Sequence, residues 1–382
     1  MKFLRLLASP LAFVVVGIIR LISKRRLVRF GLWESTRLGH LIGNMECYLS
    51  EKDNLLQPDS YDIFFPIGSI CNRYIYRKYR QKIHVWPSWL VVLIWRVNAL
   101  FMGWEKHIVR NLQFDRDIKN LFSRYSPHVR FTKAEEKKGQ KLLRYLGIPE
   151  GAKWVCLIVR DNAYLKMKAP GLDFSYHDYR DADVSEYIPA AVELARRGYY
   201  VIRMGEIIAK PFNVKHTKII DYPFKRKGLM GEFGDLYLGA KCAFCLGTPT
   251  GFMAIPQAFN RPLGITDFVP IEYAPTWCQG LMIWKHHLKD GKKMTVREIV
   301  DSGMGLMTFG GEFEKAGITL ENNTPQEIFE LAMEMADRDQ GISIEQPQTG
   351  FWGAFPNSVV NGKPLHGKMV LRIGREFLKA NQ

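Results

Sequence analysis

Short apolar runs alternate with helically spaced stretches along most of the chain. The runs at 27–33, 61–66, 83–86, 154–159, 199–204, 243–246 and 262–269 are rich in β-branched and aromatic residues. Uninterrupted runs of this kind predict strands buried on both faces, as in a parallel sheet. Between them the spacing becomes helical, at 38–44, 69–79, 132–146, 184–197, 232–239 and 253–259. Thr132 with Glu135 reads as a capping box, Asp183 caps the next helix and Gly198 ends it. Thr324 and Pro325 open the last clear helix, which runs to 336. Strand–helix alternation predicts an α/β chain whose site lies at the C-terminal ends of parallel strands. Gly147, Pro149 and Gly151 break the pattern. They divide the chain into a first domain at 27–148 and a second at 149–382, preceded by a separate segment at 1–26.

That segment, MKFLRLLASPLAFVVVGIIRLISKRR, has an apolar run from 6 to 19 flanked by Lys2, Arg5, Arg20, Lys24, Arg25 and Arg26. The run is shorter than the roughly 20 residues a spanning helix needs. It is expected to form an interfacial helix on an anionic leaflet, with a helix packed on the protein's own surface as the alternative. A second apolar stretch, 89–104, carries tryptophans at both ends and Arg96 as its one charge. It reads as a buried helix or as a membrane-facing one.

Charge sharpens this picture. The 382 residues have a formal charge of +16, which calls for an anionic partner such as a membrane surface or a phosphorylated substrate. No nucleic-acid-binding motif accompanies the charge, so nucleic acid is not expected. Hydrophobic content of 47% excludes a disordered chain. The six cysteines are scattered, and the single CxxC (Cys242, Cys245) falls on a predicted core strand. Reduced thiols in a cytoplasmic compartment are expected rather than a metal site.

The most informative stretch is KCAFCLGTPTGF at 241–252. A buried strand ends there in Gly247-Thr248-Pro249-Thr250-Gly251 and a short helix follows. Free N–H groups at a helix N-terminus and two hydroxyls suit phosphate oxygens. Two neighbouring predicted strands end in Arg160 and in Arg203-Met204-Gly205. A polar excursion after Arg160 holds Asp173, His177 and Arg180. The expected diphosphate-binding set is therefore Arg160, Arg180, Arg203, Gly205, Thr248, Thr250 and Gly251. No Asp-x-Asp pair adjoins a predicted strand end, so arginines and backbone dipoles, with no metal or other cofactor, are expected to neutralise the diphosphate.

Five strings carry a family resemblance. They are RLGHLIGN at 37–44 followed by Glu46 and Tyr48, VRDNAY at 159–164, DFSYHDYRDADVSEYIPA at 173–190, GYYVIRMGE at 198–206 and GTPTGF at 247–252. Over most of 27–365 the chain resembles bacterial glycosyltransferases with a GT-B-like core. The resemblance implies two Rossmann-like domains facing a cleft, the first for the acceptor and the second for a nucleotide-sugar donor. Where a second small residue is expected in the Gly-rich turn, this chain has Pro249, which removes a backbone donor. His40 follows Leu38-Gly39 where metal-independent heptosyltransferases of similar fold carry an aspartate base. The resemblance thus implies His40 as catalytic base, with Glu46, Asp173 and His177 as reserves. The implied function is sugar transfer to a lipid-linked or glycan acceptor in surface polysaccharide or glycolipid assembly, at the cytoplasmic face of the inner membrane. A sugar-nucleotide epimerase of the same fold and a non-catalytic membrane scaffold are the alternatives.

Overall fold

A computed structural model of the chain describes residues 2–109, 116–168, 171, 173–342, 348–355 and 358–381. They form two compact units, one of residues 1–116 and 121–130, the other of 117–120 and 131–382.

The first unit opens with helix α1 (Lys2–Ile22) and continues with β1 (Leu27–Glu34), α2 (Leu38–Asp53), β2 (Ser60–Ile67), α3 (Arg73–Arg80), β3 (His84–Val85) and α4 (Ser88–Asn98). The strands form a parallel sheet in the order β1-β2-β3, with Leu27 opposite Ser60 and Glu34 opposite Ile67. The 1–26 segment is not separate from this unit. Ala12, Val16 and Ile19, spaced as one helical face, pack in one core with Phe30 and Phe65 of the sheet and with Ile94 of α4. A buried ion pair ties the strand starts together. Arg29 Nε donates to Asp62 Oδ1 at 2.8 Å and its Nη2 to Oδ2 at 2.7 Å, while Tyr48 donates its hydroxyl to the same carboxylate.

The second unit begins at Phe131, earlier than the expected boundary. Helix α5 (Lys133–Tyr145), capped by Thr132 and Glu135 as expected, lies against the aromatic face of a later helix in this unit. A Cβ on Gly139 would come within 2.0 Å of the Tyr237 ring, and Phe131 contacts both Phe233 and Tyr237. The strands that follow are β4 (Trp154–Ile158), β5 (Tyr200–Arg203), β6 (Ile219–Asp221), β7 (Phe244–Gly247), β8 (Leu263–Phe268) and β9 (Gly280–Trp284). Then come β10 (His286–Lys289), β11 (Lys292–Lys293), β12 (Ile318–Glu321), β13 (Val359–Val360), β14 (Lys363–Pro364) and β15 (Arg372–Ile373). Seven of these form one parallel sheet in the order β15-β9-β8-β7-β4-β5-β6. The chain starts at β4, moves outward through β5 and β6, and returns to β4's other side with β7. This is the strand order of a doubly wound nucleotide-binding sheet, with its switch point between β4 and β7. Strands β11-β10-β12 make a separate antiparallel sheet in the 273–307 region and beyond, where apolar periodicity is weak.

Candidate active site

The Gly-rich turn lies at the switch point. Its conformation follows from the closeness of β4 and β7: Gly247 has φ +135°, and a Cβ there would lie 1.8 Å from the Ile158 carbonyl oxygen. Thr248 N–H donates to that carbonyl at 3.0 Å, and Arg160 N–H donates to Thr248 Oγ1 at 2.6 Å. The turn is thereby stitched to the end of β4. Thr250 Oγ1 is buried and makes no hydrogen bond within the described residues. Arg180 Nη2 reaches the Pro249 carbonyl at 3.4 Å. After Thr250 the chain makes a single 3₁₀ turn (Gly251–Met253) and then only the five-residue helix Ala254–Ala258. So short a helix has little macrodipole, which removes the expected helix-dipole contribution. What remains is the arginines, the Thr250 hydroxyl and the turn itself.

Arg160, Arg180, Thr248, Thr250 and Gly251 therefore meet at one sheet edge. Arg203 does not join them. It is 1% exposed and pairs across the β5–β6 register with Asp221, Nη1 to Oδ1 at 3.2 Å. A guanidinium enclosed in that way cannot reach a solvent-borne phosphate, so the expected phosphate role of Arg203 is corrected to a structural one. Gly205 has φ +149°, and a Cβ there would come within 3.0 Å of the Ile208 side chain, which makes it a turn residue. Asp173 is exposed; its carboxylate accepts from Ser175 N–H at 2.8 Å at the head of the turn Ser175–Arg180, and that bond holds its pKa below the usual carboxylate range. His177 lies in the same turn with its ring 4.1 Å from Tyr176. Tyr176 and Tyr179 in turn pack on Phe309 and Phe313.

Arg160 is held by Asp181, Nε to Oδ1 at 3.0 Å. Asp181 begins an Asp-Ala-Asp sequence that the fold, unlike the sequence pattern, brings beside the end of β4, where Ala182 N–H donates to the Arg160 carbonyl. Both carboxylates are engaged. Asp183 accepts from Ser185 N–H at 2.9 Å and from Lys210 at 3.0 Å, which depresses its pKa to about 2. Among the described residues no group of three or more His, Cys, Asp or Glu side chains could hold a metal ion.

Behind this edge lies a buried polar cluster that sequence reasoning missed. Lys285 Nζ donates to the Asp181 carbonyl at 2.8 Å and to Asn322 Oδ1 at 2.6 Å. Asp267 accepts from the Tyr187 hydroxyl at 3.1 Å and exchanges two bonds with Asn323. Burial lowers the Lys285 pKa and raises those of Asp267, Asp181 and Glu186, with the Arg160 charge opposing the rise at Asp181. Asp267 and Lys285 interrupt or end otherwise apolar runs at 262–269 and 281–284. A charged residue in such a place was the available signal.

In the first unit the turn between β1 and α2 is equally well fixed. Glu34 accepts from Thr36 N–H at 2.9 Å and from its hydroxyl, and Ser35 Oγ donates to the Ile67 carbonyl at 2.6 Å. Gly68, at φ +64°, leaves room for Thr36. His40 stands half-buried on the first turn of α2 at this edge. Glu46 is on the same helix but roughly 120° away around its axis. It is buried, accepting from Tyr79 Oη at 2.9 Å and from His128 N–H and Nδ1 at 3.0 and 2.8 Å. Glu46 is thus a structural acceptor, and the reserve catalytic role expected for it is corrected. His128 also meets Asp53 at 3.0 Å. Burial alone lowers its pKa, but its bonds and charge contacts with Glu46 and Asp53 outweigh that and raise it.

No protein-family model matches the chain. No curated protein matches it either. Solved structures with a similar chain path include a family 9 glycosyl transferase from Veillonella parvula, at 10% identity over 81% of this chain and 97% of that one, TM-score 0.42. Others are ADP-heptose LPS heptosyltransferase II of Escherichia coli (12% identity, 62% and 83% covered, TM-score 0.34) and the iron-containing dodecameric glycosyltransferase TibC of enterotoxigenic E. coli (11%, 70% and 65%, TM-score 0.35).

Proposed function

We propose that the protein is a glycosyltransferase that takes a sugar from a nucleotide-sugar donor and passes it to a hydroxyl of a glycan or lipid-linked acceptor. The observation that supports this most is the meeting of Arg160, Arg180 and the Thr248–Gly251 turn at the switch point of the seven-stranded sheet, where a doubly wound fold binds nucleotides. Arg160 is positioned there by Asp181, and the Thr250 hydroxyl has its hydrogen-bonding capacity to spare. In the reaction the anomeric C–O bond to the diphosphate breaks and a bond to the acceptor oxygen forms. Arg160 and Arg180 would offset the charge growing on the leaving diphosphate. His40 is the group proposed to take the acceptor's proton.

Nucleotide-sugar titration by calorimetry tests the donor site. Arg160→Ala should weaken binding by about tenfold or more, since a charge-assisted hydrogen bond contributes about 1.5–3 kcal/mol. Unchanged affinity would remove the switch point from the donor site. The scaffold reading has one observation in its favour: both Arg160 and Arg203 close on carboxylates of their own unit. It predicts no nucleotide-sugar binding at all.

A further inference from the structure

Helix α1 presents two apolar faces. One is in the core. The other, made by Leu11, Val14, Ile18 and Leu21, is open, and Leu21 is 82% exposed. Residues just past α4 extend it: Leu100 is 72% and Met102 93% exposed. The two helices are joined into one surface by Phe13 and Phe101, whose rings meet edge to face with centroids 6.4 Å apart. Arg20 locks the join. Its guanidinium lies 5.2 Å over Phe101 and donates to Asn98 Oδ1 at 3.1 Å and to the Met102 carbonyl. Exposed apolar residues grouped in this way, rather than scattered singly, are the kind of feature that serves as an interaction site.

The charge around it selects the occupant. Lys24, Arg25 and Arg26 are exposed at the end of α1, and Lys106 reaches Ser23 Oγ at 3.3 Å. The first 33 residues contain no acidic side chain, nor does the stretch 84–104; Glu105 is the carboxylate beside it. An apolar face with a cluster of cations at one end is complementary to a bilayer with anionic headgroups. Among the described residues no helix is long and apolar enough to cross a membrane. We propose that α1 and the end of α4 form a rigid, two-helix docking face that enters one leaflet of an anionic phospholipid bilayer without spanning it. Leu11, Val14, Ile18, Leu21, Leu100 and Met102 lie at the acyl boundary, and Lys24, Arg25 and Lys106 meet lipid phosphates. This inference is independent of the reaction proposed above.

Vesicle co-sedimentation of the full chain tests it. Binding is expected to vesicles of equal parts phosphatidylcholine and phosphatidylglycerol, and to be weaker to phosphatidylcholine alone and in high salt. The paired variant Leu21→Ser with Met102→Ser changes only exposed positions. It should lose about tenfold or more in vesicle affinity, from the apolar area withdrawn, with wild-type melting. Lys24→Glu with Arg25→Glu should abolish the preference for the anionic vesicle while folding normally. Wild-type protein that pellets with neither vesicle overturns the proposal, as does a Leu21→Ser/Met102→Ser protein that binds like wild type. A wild-type dimer that these same substitutions dissociate, with vesicle binding unaltered, would assign the face to a second copy instead.

Discussion

Arg160 and Arg203 look alike in the sequence, each ending a predicted strand, yet the fold gives them different environments. Arg203 is enclosed with Asp221, which also accepts from Phe212 N–H at 2.7 Å. Arg203→Ala should therefore destabilise the second unit by about 2–3 kcal/mol, measured by denaturant titration, and leave nucleotide affinity of the folded protein unaltered. Nothing local to either arginine marks this difference, because each partner comes from elsewhere in the chain. Asp181 lies 21 residues beyond Arg160, and Asp221 is on the adjacent strand. His128 makes a second residue-scale case. Its folded-state pKa lies above the ordinary 6.5, so its contribution to stability is complete below that value and is lost as pH rises through the folded pKa. Melting temperature should fall as pH rises past neutrality, and His128→Gln should flatten that slope. An unaltered slope in the variant would show that the Glu46–His128–Asp53 contact does not carry it. His40→Ala, by contrast, should lower turnover with donor affinity near normal; wild-type turnover would end its candidacy as the base.

At the scale of elements, local signals were legible and neighbours were not. The capping box at Thr132–Glu135 forms as its spacing predicts, and Thr324 caps the last helix as expected, since each cap joins residues three apart. Asp183 does cap, but it opens a 3₁₀ turn (Val184–Tyr187) before the helix Ile188–Arg196 begins. The antiparallel sheet of β10, β11 and β12 escaped notice because HHLK and KK offer no apolar run. Helix α1 shows the same limit. A run of apolar residues flanked by cations reads as a surface helix, but the sequence cannot show that sheet and α4 supply a core for its other side. Deleting residues 1–26 should accordingly unfold the first unit rather than release a soluble protein. Val16→Ser alone should cost about 2 kcal/mol or more, read from the midpoint of chemical unfolding, by placing a hydroxyl among Val91, Ile94 and Phe30. A midpoint equal to wild type would show that α1 does not contribute to that core.

For the whole molecule, alternation identified the α/β class because buried parallel strands and their crossover helices have distinct periods. It could not supply the strand order, which is set by long-range pairing. That order places the end of β4 next to the Gly247–Gly251 turn, and so turns two separate motifs into one candidate site. The domain boundary moved for the same kind of reason: Gly139 lets α5 pack on Tyr237, a contact between residues about a hundred positions apart. The central claim is that this switch point holds a nucleotide-sugar. Its most direct test is a thermal-shift screen of the purified chain against UDP-, GDP-, CMP- and dTDP-sugars without added metal. A ligand that binds only the folded state raises the apparent melting temperature. The account predicts a clear upward shift with one nucleotide class, lost in Arg160→Ala. No shift with any of them, from protein that melts cooperatively, would contradict it.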